Sequence, residues 1–314
     1  MRIAVFGAGA VGGYFGGRLA EAGEDVTFIA RGRHLEAVRA HGLSVASSLG
    51  DLVVHPAQVT DDPHRVGVAD AVLVTVKAWQ LPEAAASMAP LVAEETAVVP
   101  LLNGVEAPDV LAGALGPRSV LGGLCRIFSH LEGPGRIVHT GFEPSVEFGE
   151  LDGRRSERAE RLAEAFGRAR GVTATVSPDV RAAMWAKLAF IAPASAIGAA
   201  TRAPYGGFRA VPETRDALWR AVDEVRAVAR ARGIPFPDDL PDRVMDVLDA
   251  LPAHEVTSMQ RDVLAGRPSE LDAQVGAVVR LGREAGVPTP VSELLYAVLL
   301  PQERAARATR PPVD

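Results

Sequence analysis

Apolar residues in the first half of the chain come in short blocks separated by polar, glycine-rich turns; in the second half they recur at helical spacing. Arg2–Phe6 is a short apolar run, the mark of a strand buried on both faces. The pattern then predicts a helix over Ala10–Ala22, with Gly23 as its C-cap, and a second strand over Asp25–Ala30. The alternation continues with a strand over Asp70–Val76, a helix from Leu81 to Val92, a strand over Thr96–Leu102 and a helix over Ala107–Leu115. Strands predominate next, over Val120–Ser129, Gly135–Thr140 and Ser145–Phe148. An amphipathic helix over Arg155–Arg170 and a last strand over Val172–Val176 close this half. From Val180 onward there are four or five long helical patterns and no convincing strand, which puts a domain boundary near Ser177-Pro178 and divides the chain into 1–177 and 178–314. Pro235–Pro241 reads as a loop between helices and Arg310–Asp314 as a frayed tail.

The turn between the first strand and its helix is Gly7-Ala8-Gly9-Ala10-Val11-Gly12, a G-x-G-x-x-G in its full strand–turn–helix setting. The chemistry needs those glycines: Gly7 for the tight turn, Gly9 for close backbone approach to a pyrophosphate, Gly12 for close packing of helix on strand. The helix then presents its N-terminal amides and positive dipole end to phosphate. The expected fold is an α/β Rossmann-type N-terminal domain plus an all-α C-terminal domain. NAD-binding folds carry an acid at the end of the second strand for the ribose 2′-hydroxyl. Here that place holds Arg31, with Arg33 two residues on. A guanidinium there suits a 2′-phosphate, so NADPH is favoured over NADH. A solvated surface charge is the other reading of either arginine.

Composition narrows the function classes. The 314 residues suffice for two domains with sizeable cores, and 48% hydrophobic with 23% charged residues is ordinary for a globular protein. A net charge of −6 argues against general nucleic-acid binding. The single cysteine, Cys125, allows neither an internal disulfide nor a thiolate metal site, and the seven histidines show no metal-ligand spacing. No apolar run is expected to reach transmembrane length, and the N-terminus reads as a core strand, so a cytoplasmic protein without membrane partners is expected.

In open α/β sheets ligands sit beyond the carboxyl ends of the strands. Lys77 and Asn103-Gly104 directly follow two of the predicted strands. Position alone leaves open a strand-end lysine in water and a plain Asn-Gly turn. In the helical half, Lys187 lies within an apolar helix beside Trp185, Leu188 and Phe190, where a lysine either snorkels outward or stands against a site as a usable proton donor. Residues 187, 191 and 195 are spaced i, i+4, i+8 and share one face. Thr257–Asp262 lies on a helix; Ser269 reads as the N-cap of the next, with Glu270 its first residue, a position that the helix dipole favours for an acid anyway.

Together these pieces resemble the ketopantoate reductase (2-dehydropantoate 2-reductase) family, in order and over nearly the whole chain. The likeness rests on GAGAVG at 7–12, Arg31, Val-Lys-Ala-Trp-Gln at 76–80, Leu-Asn-Gly at 102–104, Met-Trp-x-Lys-Leu at 184–188, Ser-Met-x-x-Asp at 258–262 and Ser-Glu-Leu-Asp at 269–272. The resemblance implies NADPH-dependent reduction of a small-molecule 2-keto acid to a 2-hydroxy acid, with a place in pantothenate biosynthesis. It implies Lys187 as general acid, Asn103 in contact with nicotinamide and substrate, Lys77 and Arg31 as cofactor contacts, Glu270 as a catalytic and cofactor-binding residue at the active-site end of the cofactor and Ser258 as a substrate-binding serine. A homodimer is left open. The family pattern K-x-x-x-N-x-x-x-N departs here to Lys187, Ile191 and Ser195. Ile191 cannot hydrogen-bond, so a more apolar ketone fits these substitutions at least as well as ketopantoate. A non-catalytic NADPH-binding redox sensor is the remaining alternative.

Overall fold

The computed structural model describes residues 1–309, so Arg310–Asp314, expected to fray, lies outside the described residues. The chain groups into two compact units, one of Met1–Leu102 with Ala107–Ala183, the other of Asn103–Glu106 with residues 184–309.

The first unit is built from β1 (Arg2–Phe6), α1 (Ala10–Glu21), β2 (Asp25–Ile29), α2 (Gly32–His41), β3 (Leu43–Ser47), β4 (Leu52–Val54), β5 (Gln58–Thr60), β6 (Ala71–Val74), α3 (Leu81–Ser87), β7 (Ala97–Pro100), α4 (Ala107–Leu115), β8 (Leu121–Gly133), β9 (Arg136–Glu150), α5 (Glu157–Gly167) and β10 (Thr173–Val176). One sheet has the order β5-β2-β1-β6-β7 and is parallel throughout. β1, β6 and β7 are buried along nearly their whole length, as their unbroken apolar runs require. A second sheet, ordered β10-β9-β3-β4 with β8 pairing β9, was not foreseen. Two of the three late strands expected from the sequence are one continuous strand, β9, antiparallel to β8. The elements from Gly32 to Thr60 also escaped the pattern. Their strands are only three to five residues long, too short to show a period.

A buried carboxylate ties this unit together. Arg158 Nε and Nη2 each donate at 2.8 Å to Glu150, and Arg158 Nη1 reaches the carbonyls of Glu94 and Thr96. Burial pushes the Glu150 carboxyl up, but the hydrogen bonds and charge of its arginine partners prevail and hold it below its ordinary value.

The second unit takes most of α6 (Val180–Thr201), then α7 (Tyr205–Arg209), α8 (Pro212–Ala231), α9 (Leu240–Ala250), α10 (Ser258–Leu264), α11 (Ala277–Ala285) and α12 (Pro290–Ala308). A π-helical turn, Asp272–Gly276, runs directly into α11. Contrary to expectation, α6 is long and apolar enough to cross a membrane by length and composition; its window is 67% buried inside the protein, which is the behaviour of a core helix. Ala194 and Ile197 pack in one apolar cluster, Ala196 and Ala199 in another, so α6 is apolar on nearly every side. Glu224 on α8 caps α12, accepting from the amides of Val291 and Ser292 and from the Ser292 hydroxyl.

Candidate active site

The glycine loop joins β1 to α1 in the first unit. Gly7 has φ +105°, and its amide and that of Ala8 donate to Ile29 O of β2 at 3.1 and 3.2 Å. The Thr75 hydroxyl closes the loop from the other side, donating to Gly7 O at 2.6 Å. A Cβ at Gly12 would lie 2.2 Å from Gly7 O and 2.3 Å from Thr75 Oγ1, so only glycine lets α1 seat against β1. Gly9 is the opposite case: a Cβ there would meet nothing within 4 Å. Gly7 and Gly12 serve packing, while Gly9 faces open space where a side chain would stand between the backbone and an approaching pyrophosphate. Ala10 and Val11, both half-buried, open α1, whose N-terminal amides are the kind of donors that suit a phosphate. The residues present therefore fit a dinucleotide.

Arg31 is the N-cap of α2, directly after β2, and its side chain is exposed. Its Nη1 donates to Glu83 Oε1 of α3 at 3.0 Å. Lys77, three residues beyond β6, has its backbone amide held by Gln80 Oε1 at 3.2 Å and its ammonium 5.8 Å from the Trp79 ring centroid. His34 on α2 accepts from the Gly135 amide through Nδ1 at 3.2 Å. Burial pushes its imidazole below the ordinary value.

In the second unit the structure joins Asn103 to Glu270. Asn103 Nδ2 donates to Glu270 Oε2 at 2.9 Å. Two further contacts seat the Asn103–Glu106 segment. Gly104 has φ +103° and approaches Ala273 O so closely that a Cβ would lie 2.6 Å from it. Glu106 takes a two-pronged ion pair from Arg280 of α11 at 2.7 and 3.2 Å. The Asn-Gly pair is thus the inserted edge of the helical unit, with an amide aimed at a carboxylate.

Ser269, the residue before Glu270, is held by two residues that the sequence reading missed. The Ser269 amide and hydroxyl both donate to Glu303, the latter at 2.6 Å, and Arg307 Nη2 donates to Ser269 O at 3.0 Å. Arg307 Nε also pairs with Glu303 at 2.6 Å. The only sequence trace is a Glu–Arg pair one turn apart near the chain's end, which reads as an ordinary surface pair. The Ser269 hydroxyl accepts from the Leu271 amide, but Leu271, not Glu270, is the first helical residue, and the turn that follows is π-helical. Gln274 in that turn is fully buried, and among the described residues its side-chain amide has no hydrogen-bond partner.

On α6, Lys187 is half-buried between buried Trp185 and Leu188, and Ile191, one turn on, is half-buried as well. Pro193 lies inside the helix and removes the amide that would bond Ala189 O. Ser195 is fully buried, and its hydroxyl has no partner among the described residues. Ser258 is exposed at the start of α10, behind a cap in which Thr257 Oγ1 accepts from the Gln260 amide at 3.1 Å. Among the described residues no group of His, Cys, Asp and Glu could hold a metal ion.

Family models described as "Ketopantoate reductase PanE/ApbA" and "Ketopantoate reductase PanE/ApbA C terminal" match residues 3–153 and 179–303. The chain is 33% identical over 301 residues to an uncharacterized oxidoreductase, YkpB, of Bacillus subtilis, covering 95% of this chain and 98% of that one. It is 32% identical to the 2-dehydropantoate 2-reductase of Mesorhizobium japonicum, covering 95% and 97%. The crystal structure of a PanE/ApbA family ketopantoate reductase from Ralstonia eutropha superposes with a TM-score of 0.88 at 33% identity, covering 98% of this chain and all of that one (100%). On these matches the chain belongs to the ketopantoate reductase family, oxidoreductases acting on CH–OH groups.

Proposed function

We propose that this protein reduces a 2-keto acid to the corresponding 2-hydroxy acid with NADPH, Lys187 serving as general acid. The observation that carries the reading is the 2.9 Å bond from Asn103 to Glu270 in a chain of this family. Keto-acid reduction of the 2-dehydropantoate 2-reductase kind is the activity the family brings; cofactor, proton donor and substrate are the proposal. When bound, the dihydronicotinamide supplies the hydride. The Lys187 ammonium gives a proton to the ketone oxygen as carbon 2 becomes tetrahedral, so that no free alkoxide forms. Asn103 has one amide hydrogen committed to Glu270, which sets the amide's orientation; its other hydrogen and Oδ1 remain for polar groups of cofactor and substrate. Gly7–Gly12 and Arg31 hold the pyrophosphate and the 2′-phosphate, and Lys77 adds a positive charge beyond β6.

Ile191 favours a substrate more apolar than ketopantoate. It lies one turn after Lys187, half-buried, where a hydrogen-bonding side chain would satisfy a substrate hydroxyl and an isoleucine leaves it unpaired. Ser195, two turns from Lys187 and wholly buried, stands deeper in the unit. The test is NADPH consumption across a panel of 2-keto acids that runs from ketopantoate to branched aliphatic and aromatic members. Turnover of one or more with retention of the carboxylate in the product supports the reading. A panel with no turnover, by a protein that still binds NADPH, defeats it and leaves the redox-sensor reading.

A further inference from the structure

Arg31 and Glu83 come from different turns of the same parallel sheet. Arg31 follows β2 and Glu83 sits in the first turn of α3, beyond β6, with β1 as the strand between. Their side chains meet at 3.0 Å while remaining exposed, 51% for Arg31 and 74% for Glu83. An ion pair this open adds little to folding, because both charges stay in water and salt screens them. Its position gives it another consequence. The end of the second strand is where a dinucleotide fold meets the 2′ position of the adenosine ribose, reading a hydroxyl with a carboxylate and a phosphate with a guanidinium. This chain carries both groups there, and they are bonded to each other.

We propose that Glu83 is a cofactor-selectivity residue that narrows the preference for NADPH over NADH. The inference rests on the NADPH reading of Arg31 given above. Glu83 competes with a 2′-phosphate for the same guanidinium and repels it, since the phosphate's nearly two negative charges would stand within a few ångströms of the carboxylate. Toward a ribose bearing a 2′-hydroxyl the same carboxylate is an acceptor, the role that an acid on the second strand plays in NAD-binding folds. Glu83 thereby supplies from α3 what β2 lacks.

The experiment measures dissociation constants of NADPH and NADH by calorimetry for the unmodified protein, Glu83→Gln, Arg31→Ala and the double variant, at low and high salt. Both side chains are exposed, so the variants should fold, and a melting curve verifies it. Glu83→Gln is expected to tighten NADPH by roughly three- to tenfold and to leave NADH unchanged or weaker, a gain that shrinks with added salt. In the Arg31→Ala background the gain should fall to the small part that comes from direct repulsion. An unchanged NADPH-to-NADH ratio in Glu83→Gln, with Arg31→Ala still collapsing that ratio, overturns the role of Glu83 alone. A ratio that ignores Arg31→Ala overturns the reading of Arg31, and the inference with it.

Discussion

Asn103 and Glu270 lie 167 residues apart in sequence and are joined by a single 2.9 Å hydrogen bond, amide to carboxylate. The bond is directional. The carboxylate can only accept, so it forces the asparagine to present nitrogen toward Glu270 and oxygen away. Reversing that demand is a sharp test. Asn103→Asp would set two carboxylates at hydrogen-bond distance and should cost more activity than Asn103→Ala, which only removes the contact. We expect kcat/KM for the best 2-keto acid to fall by roughly 10²-fold in the alanine variant and further in the aspartate variant at neutral pH, with partial recovery of the latter on acidification. An aspartate variant as active as the wild type would show that the bond does not orient a working amide.

Lys187 should matter to turnover far more than to cofactor affinity. Lys187→Ala is expected to lower kcat by roughly 10²–10⁴ while leaving the NADPH dissociation constant nearly intact. Stopped-flow measurement of hydride transfer separates the two. Normal turnover on the best substrate would make Lys187 a structural lysine.

Glu303 is buried and accepts from the Ser269 amide and hydroxyl and from Arg307 Nε. Arg307 is partly exposed and keeps its bond to Ser269 O, so removing the Glu303 carboxylate strands mainly the buried Ser269 amide and hydroxyl, at a cost of about 1–3 kcal/mol. Glu303→Ala should therefore destabilise the protein by that order in urea titrations, and Glu303→Gln by less, because it keeps acceptors for the Ser269 amide and hydroxyl. Equal stability of wild type and alanine variant would show that Arg307 and Ser269 find other partners.

Acid should weaken the first unit in two stages. Burial lowers the imidazoles of His34 and His139 below the ordinary 6.5. For groups depressed in the fold, the unfolded chain takes the proton first, so their stability contribution is present above about pH 6.5 and declines below it. Glu150, held below 4.5, adds a second loss only at lower pH, as its folded-state value is approached. The melting temperature should thus fall between pH 7 and 5, and the His34→Gln/His139→Gln protein should lose much of that slope. A wild-type melting temperature flat over this range would contradict the burial argument.

How much of this was legible in the sequence depended on whether a feature is local. The run Arg2–Phe6, the glycines of 7–12 and Arg31 are read in one dimension, because strand, turn and helix there follow one another directly. Lys187 and Ile191 are likewise fixed by helical spacing. What stayed hidden is set by pairing across the chain. The merging of two predicted strands into β9 reflects its long pairing with β8, which overrides the glycine and proline at 141 and 144. Glu83 reads as a favourable acid in a helix's first turn, and only the fold shows that its partner is Arg31. Glu303 and Arg307 read as an exposed helical pair, and only packing shows that they clamp the residue before Glu270. A carboxylate's burial is a tertiary fact, invisible to periodicity.

The substrate is the property on which Ile191 speaks most directly. A hydroxylated keto acid placed beside an isoleucine loses about 1–3 kcal/mol if its hydroxyl is left unpaired. Ser195 offers little relief, because its hydroxyl is fully buried two turns from Lys187. The wild-type protein should be a poor ketopantoate reductase, with a higher kcat/KM for an apolar 2-keto acid of similar size. Ile191→Asn should invert that order, raising kcat/KM for ketopantoate by roughly tenfold while lowering it for the apolar substrate, since the asparagine amide then goes unsatisfied beside an alkyl chain. Because Ile191 is only half-buried, the polar substitution should be tolerated, and a melting curve would separate misfolding from changed preference. Efficient wild-type turnover of ketopantoate, unchanged or worsened by asparagine, would show that specificity is set elsewhere than on this face of α6.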